Sequence, residues 1–209
     1  MVVGNREQNI RRIIEMEDRI CQCQRCPSLV KCLRKPSMGK GELEPEALLV
    51  FEYENSFISD INNIIRLRNI IKQELKLDKI YHTFMVRCQP KACAIRQSVN
   101  CYGQGKWIDK DYTCLLSNKT CDGIPVRPGT DEIISCLPFL LEEIEILHPT
   151  YLLLFGERVA EFVLKSYGVY SDLAINQRYE YEQMTFLTLV DENEFRQDNC
   201  HQLLNALSE

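Results

Sequence analysis

Four short apolar runs constrain this chain more than any other feature: 47-ALLVF-51, 80-IYHTFMV-86, 151-YLLLF-155 and 185-TFLTLV-190. Continuous apolar runs of this length read as strands buried on both faces. Amphipathic segments alternate with them. Residues 60–77 put Ile64, Leu67, Ile71 and Leu75 on one side, with Ser59 or Asp60 able to cap the first turn. Residues 131–147 bring Ile133, Ile134, Leu137, Leu140, Leu141, Ile144 and Leu147 into phase, and Pro138 should kink that helix or mark its start. Further helices are expected over 6–20, with Ile10, Ile13, Ile14 and Ile20 near one face, from Gly156 to about Lys165, and over 197–207. Strand and helix in strict alternation predict a three-layer α/β/α domain with a central four-stranded parallel sheet. The whole chain, 1–209, reads as one such domain.

Residues 89–129 break the alternation. They carry no clear periodicity, yet hold Cys93, Cys101, Cys114 and Cys121. A structureless loop of that length is uncommon inside a compact domain. We read it as a Cys-rich insertion whose four thiols hold either zinc or a second iron–sulfur cluster. Trp107, Tyr102 and Tyr112 lie near Lys106 and Lys110, an aromatic and basic mixture that can stack nucleobases.

The composition is that of a globular protein, 45% hydrophobic and 26% charged. This excludes a disordered or collagen-like chain. No apolar run is long enough to span a bilayer, so no membrane role is expected. The first residues lack a signal-peptide core, which points to the cytoplasm. The net charge of −5 is unlike that of a protein living mainly on phosphate contacts. Eleven cysteines are too many for chance and too few for a secreted disulfide scaffold. In a reducing compartment, clustered cysteines bind metal or do redox chemistry.

Cys23 and Cys26 form a Cys-x-x-Cys pair followed by Pro27, Cys88 ends the second strand, and Cys136 sits in 135-SCLPFL-140. Four thiolates from separated elements can hold zinc or a 4Fe–4S cluster. Cys21 competes with Cys23 as a ligand, while Cys32 and Cys200 read as ordinary residues. His82 reads as structural, His148 as a helix cap, and His201 as exposed.

Taken in order, 23-CQRCP-27, 39-GKG-41, 87-RCQPK-91, 132-EIISCLPFL-140 and 149-PTYLLLFGERVA-160 resemble the uracil-DNA glycosylase superfamily in its iron–sulfur, family-four branch. The similarity spans most of the chain outside 92–128. It implies a 4Fe–4S cluster ligated by Cys23, Cys26, Cys88 and Cys136. The chain departs from the family's pattern where the chemistry should be. The family's water-positioning Gly-Glu-Ala-Pro-Gly turn is replaced by 51-FEYENS-56, its uracil-reading Asn by Phe84, and its His-Pro-Ser loop by 188-TLVDENEF-195.

The sequence therefore predicts an iron–sulfur protein that has lost uracil excision and has a binding or electron-transfer role. Its partner would be nucleic acid or another protein. The alternative is a DNA glycosylase acting on a base other than uracil. Glu52, Glu54 or Asp191 would then activate water, and Tyr53 or Phe84 would stack the base. Glu52, Glu54, Glu157, Asp191, Glu192 and Glu194 are all expected at the carboxyl ends of the strands, where open sheets bind ligands. They would form an acidic rim suited to a cation or a basic partner.

Overall fold

The computed structural model describes residues 6–26, 36–88, 91–92, 109, 113–120, 124–170 and 172–199. Its centre is β2, Ala47–Phe51, every residue of which is buried. It pairs in parallel with β3, Ile80–Phe84, on one side and with β8, Tyr151–Phe155, on the other. Beyond β8 runs β10, Met184–Leu189, also parallel. These are the four expected strands. The sheet itself has six: β1, Lys40–Gly41, and β9, Arg178–Tyr181, add antiparallel edges in the order β1-β3-β2-β8-β10-β9. The expected four-stranded parallel sheet is thus the interior of a larger mixed one. Both edges escape a hydrophobicity reading. β1 is two residues long, and β9, 178-RYEY-181, is polar and half-exposed, as an edge strand should be.

Gly41 shows why the 39-GKG-41 stretch has its glycines. Gly41 has φ 148°, and a Cβ there would lie 2.3 Å from the Ile80 carbonyl oxygen. A Cβ on Gly39 would lie 2.4 Å from the Tyr81 ring. The edge strand approaches β3 too closely for any side chain.

Strand side chains alternate between two cores. Leu48, Val50, Tyr81, Leu152, Leu154 and Phe186 face α1 (Arg6–Cys21), α4 (Thr130–Leu147) and α5 (Glu157–Ser166). Leu49, Phe51, Ile80, Phe84, Leu153 and Leu187 face α2 (Ser56–Ser59), α3 (Ile61–Leu75) and Phe195. Helices cover both faces of the sheet. Asn55 caps α2 by accepting from the Phe57 and Ile58 N–H groups, and Asp60 caps α3. α1 buries Asn9, Ile13, Met16 and Ile20 against α4, whereas Ile10 and Ile14 of the expected face are exposed. Pro138 lies inside α4 rather than at its start. His148 ends α4 in the left-handed region, and its N–H donates to the Ile144 carbonyl, as capping requires.

The insertion is not structureless where it is described. β4 (Lys91–Ala92) pairs with β7 (Ile124–Pro125), and β5 (Thr113–Cys114) with β6 (Lys119–Thr120), both antiparallel. Strands of two residues leave no period to read. Cys32, Cys93, Cys101, Cys121, Cys200, His201, Tyr102, Lys106, Trp107, Lys110, Tyr112 and most of 197–207 lie outside the described residues. Among the described residues, no helix is long and apolar enough to cross a membrane.

Candidate functional site

Three elements bring four cysteines to one end of the α4 face. Cys23 and Cys26 follow the C-terminus of α1, and the Cys23 N–H still donates to the Ile20 carbonyl at 3.1 Å. Cys88 comes four residues after β3, and Cys136 is in the second turn of α4. The loop after α1 is pinned to α4 by Arg25. Its guanidinium stacks 4.7 Å over the Phe139 ring and donates to the Ser135 carbonyl at 3.4 Å. The Arg87 N–H donates to Cys136 Sγ at 3.3 Å.

The four sulfurs act on one another. Burial pushes the Cys88 thiol up to about 12, and negative charge at Cys136, Cys26 and Cys23 adds to it. Burial likewise raises Cys136, with Cys26 and Cys23 contributing and the Arg87 N–H opposing. Cys26 is raised by burial, against a hydrogen bond with Ser135. Burial thus holds the Cys26, Cys88 and Cys136 thiols toward their protonated forms, and thiols bind metal only once deprotonated. Among the described residues, no three His, Cys, Asp or Glu side chains are already arranged to hold a single metal ion. Cys21 is exposed at the end of α1, and Cys114 is buried in β5.

Beneath the cysteines lies a buried ionic network that the sequence reading missed. Glu143 of α4 is 1% exposed. Its carboxylate accepts from Tyr81 Oη at 3.0 Å, Thr83 Oγ1 at 2.5 Å and Arg87 Nη2. Arg87 is also 1% exposed, yet its Nε and Nη1 have no hydrogen-bond partner. Burial alone would lower the Arg87 pKa. The Glu143 carboxylate outweighs it and holds the group above its ordinary value. A signal was available: Glu143 lies seven residues after Cys136 and four after Phe139, on the buried face of α4.

The second zone is the rim at the carboxyl ends of the strands. Pairing continues past β2 and β3, with the Val86 N–H donating to the Glu52 carbonyl at 2.8 Å. Glu52 is thereby held at the rim, but it is not a free carboxylate. It receives Arg127 at 2.7 Å and Arg158, from the first turn of α5, at 2.6 Å. Arg158 also donates to the Pro128 carbonyl at 2.7 Å. Ser37 Oγ donates to Glu54, and Asn55 Nδ2 donates to the buried Glu192. Burial raises the Glu192 pKa. Gly156, with φ 89°, turns β8 into α5, and a Cβ there would collide with Asp191 Oδ1 at 2.3 Å. Asp191, Glu157 and Glu194 are exposed. The expected acidic rim is therefore interleaved with arginines and hydrogen-bond donors. Arg127 sits in the insertion and Arg158 in 156-GERVA-160, both distant in sequence from Glu52.

Beside the rim, a cavity of about 390 Å³ opens between the Pro36–Lys40 segment, α2, α3 and β3. Phe84, His82, Met38, Ile58 and Ile64 wall it, with Ser37 and Glu54 among its polar lining. Phe84 stands where the resemblance places a uracil-reading Asn. It is buried and lies edge-on to His82, the ring centroids 6.1 Å apart. His82 Nδ1 is buried without a partner. Burial first, then the cations of Arg68 and Lys40, lower the His82 pKa to about 4.

Comparison with known proteins adds one finding. The profile of the Uracil DNA glycosylase superfamily matches residues 62–196. The match takes in α3 through the loop after β10, and so includes Cys88, Cys136, Arg87 and Glu143; Cys23 and Cys26 precede it. No curated protein matches the chain.

Proposed function

The chain belongs to the uracil DNA glycosylase superfamily, and we propose that within it this protein is an iron–sulfur member that no longer excises uracil. Cys23, Cys26, Cys88 and Cys136 would ligate a 4Fe–4S cluster. The observation that carries this reading is the meeting of four mutually interacting thiols from three elements over a buried Arg87 with unpartnered N–H groups. The donor set suits the group: thiolates are the usual ligands of such clusters, and nearby N–H donors are how proteins hold their sulfurs. When bound, a cluster supplies one-electron chemistry and staples the loops that ligate it. The role we assign is binding of nucleic acid or a protein partner, or electron transfer. Cys93, Cys101, Cys114 and Cys121 would hold zinc or a second cluster in the insertion.

The absence of Asn at Phe84 and the arginines on Glu52 support the loss of excision. A second reading, a glycosylase for another base, draws on the cavity of about 390 Å³ next to Glu54.

Iron decides the main reading. Anaerobically purified protein should be brown and carry about four iron and four sulfide per chain, or about twice that with a second cluster. Cys88→Ser and Cys136→Ser should each lose iron and stability. Unchanged iron in both variants would sink the ligand assignment.

A further inference from the structure

We infer that Arg87 is a positioning residue for that cluster: its Nε and Nη1 donate hydrogen bonds to the cluster's sulfurs, and its charge raises the reduction potential. This rests on the iron–sulfur reading and deepens it.

The argument begins with an imbalance. A guanidinium has five N–H donors and is always charged. Arg87 is buried, and only its Nη2 is spent, on Glu143. Among the described residues, Nε and Nη1 are buried without any partner. Had Arg87 and Glu143 been kept as a closed core ion pair, a carboxylate facing the fork would satisfy two donors at once. Glu143 does not do so: it takes Nη2 alone on the oxygen that also accepts from Thr83, while its other oxygen accepts from Tyr81. Those two strand residues turn the carboxylate so that it takes one edge of the guanidinium and leaves the rest.

Residue 87 is already bound to the cysteines on two sides. Its backbone N–H donates to Cys136 Sγ at 3.3 Å, and it is peptide-linked to Cys88. A group that supplies sulfur acceptors beside Cys88 and Cys136 would satisfy what the protein leaves open. Such a group becomes more negative on reduction. A buried cation with N–H donors stabilises the reduced form more than the oxidised one, so the potential rises. Glu143, in turn, sets how much of that charge is felt.

The test uses the full-length, anaerobically loaded protein as wild type, Arg87→Lys, Arg87→Met and Glu143→Gln. Iron content and the midpoint potential of the cluster are read for each. Both Arg87 variants should shift the potential downward, Met further than Lys because Lys keeps the charge while losing the fork. Glu143→Gln should shift it upward by leaving the cation less compensated. A merely structural ion pair would lower the melting temperature in all three and leave the potential unmoved. If Arg87→Met fails to fold, Arg87→Lys decides. Iron-loaded Arg87 variants at the wild-type potential, or a downward shift in Glu143→Gln, overturn this inference alone. Wild type without iron overturns the cluster reading and this inference with it.

Discussion

His82 and Glu52 are two polar residues whose surroundings oppose their charges in different ways. His82 is buried with an unpartnered Nδ1, and its pKa falls from 6.5 to about 4. The folded imidazole stays neutral down to about pH 4, while the unfolded one takes a proton below about 6.5. Above pH 6.5 His82 therefore has no effect on the pH dependence of stability. Between 6.5 and 4 the unfolded state binds more protons, and stability falls by up to about 1.4 kcal/mol per pH unit. Urea midpoints of the wild type should drop more steeply across that window than those of His82→Leu. Parallel curves would show that the imidazole titrates normally. Glu52 has the reverse problem, a carboxylate 11% exposed that is answered by Arg127 and Arg158. Glu52→Gln should cost about 1–2 kcal/mol, discounting the half-exposed Arg127 side. It should also free the Arg127 guanidinium at the rim, while Arg158 keeps its bond to the Pro128 carbonyl. Binding of a single-stranded oligonucleotide should tighten, with the salt slope steepening by about one unit as one more phosphate is engaged. An unchanged slope would mean that Arg127 cannot reach a backbone.

At the scale of elements, Pro138 gives a clean expectation. It sits in the interior of α4, exposed, and its ring offers no N–H to the Ile134 carbonyl. Pro138→Ala should stabilise the protein by about 1–3 kcal/mol, read as a higher urea midpoint. A lower midpoint would mean that the backbone set by Pro138 is required by the packing of Phe139 and Leu140. The same helix shows what could be read from sequence and what could not. Its length, its start near Gly129 and Glu132, and its buried Ile133, Leu140, Ile144 and Leu147 follow from the 3.6-residue period. Glu143 does not, because periodicity counts a charge as a vote for solvent, and only the partners Tyr81, Thr83 and Arg87 make burial tolerable. The inner strands were legible because both of their faces are apolar. β9 was not, since edge strands are polar by necessity. On α1, Ile10 and Ile14 drew the face away from Asn9 and Met16, which α4 actually covers. That Cys23, Cys26, Cys88 and Cys136 lie near enough to act on one another was expected from the resemblance and the Cys-x-x-Cys spacing. The arginines on Glu52 come from segments distant in sequence and had no local signal.

At the scale of the whole molecule, superfamily membership and the departures at the rim pull in different directions, and a uracil assay separates them. The superfamily takes its name from uracil DNA glycosylases, and a cavity of about 390 Å³ opens beside the rim. A site that hydrogen-bonds one base rejects another by leaving its own polar groups unpaired, and this is a source of large discrimination. Phe84 has no such groups, and its neighbour His82 is neutral with Nδ1 out of solvent. Glu52 has its oxygens occupied by arginines, and Glu54 already accepts from Ser37. Phe84 itself offers no hydrogen bond that distinguishes uracil from cytosine. The net charge of −5 further weakens the approach of DNA, and at the rim Arg127 and Arg158 oppose it locally. We therefore expect cluster-loaded protein to release no uracil above background from single- or double-stranded DNA, and to bind DNA weakly with affinity that falls as salt rises. Release at enzyme-like rates, lost on changing Glu52, Glu54 or Asp191 while iron stays bound, would establish instead that the pocket kept its chemistry under a new set of side chains.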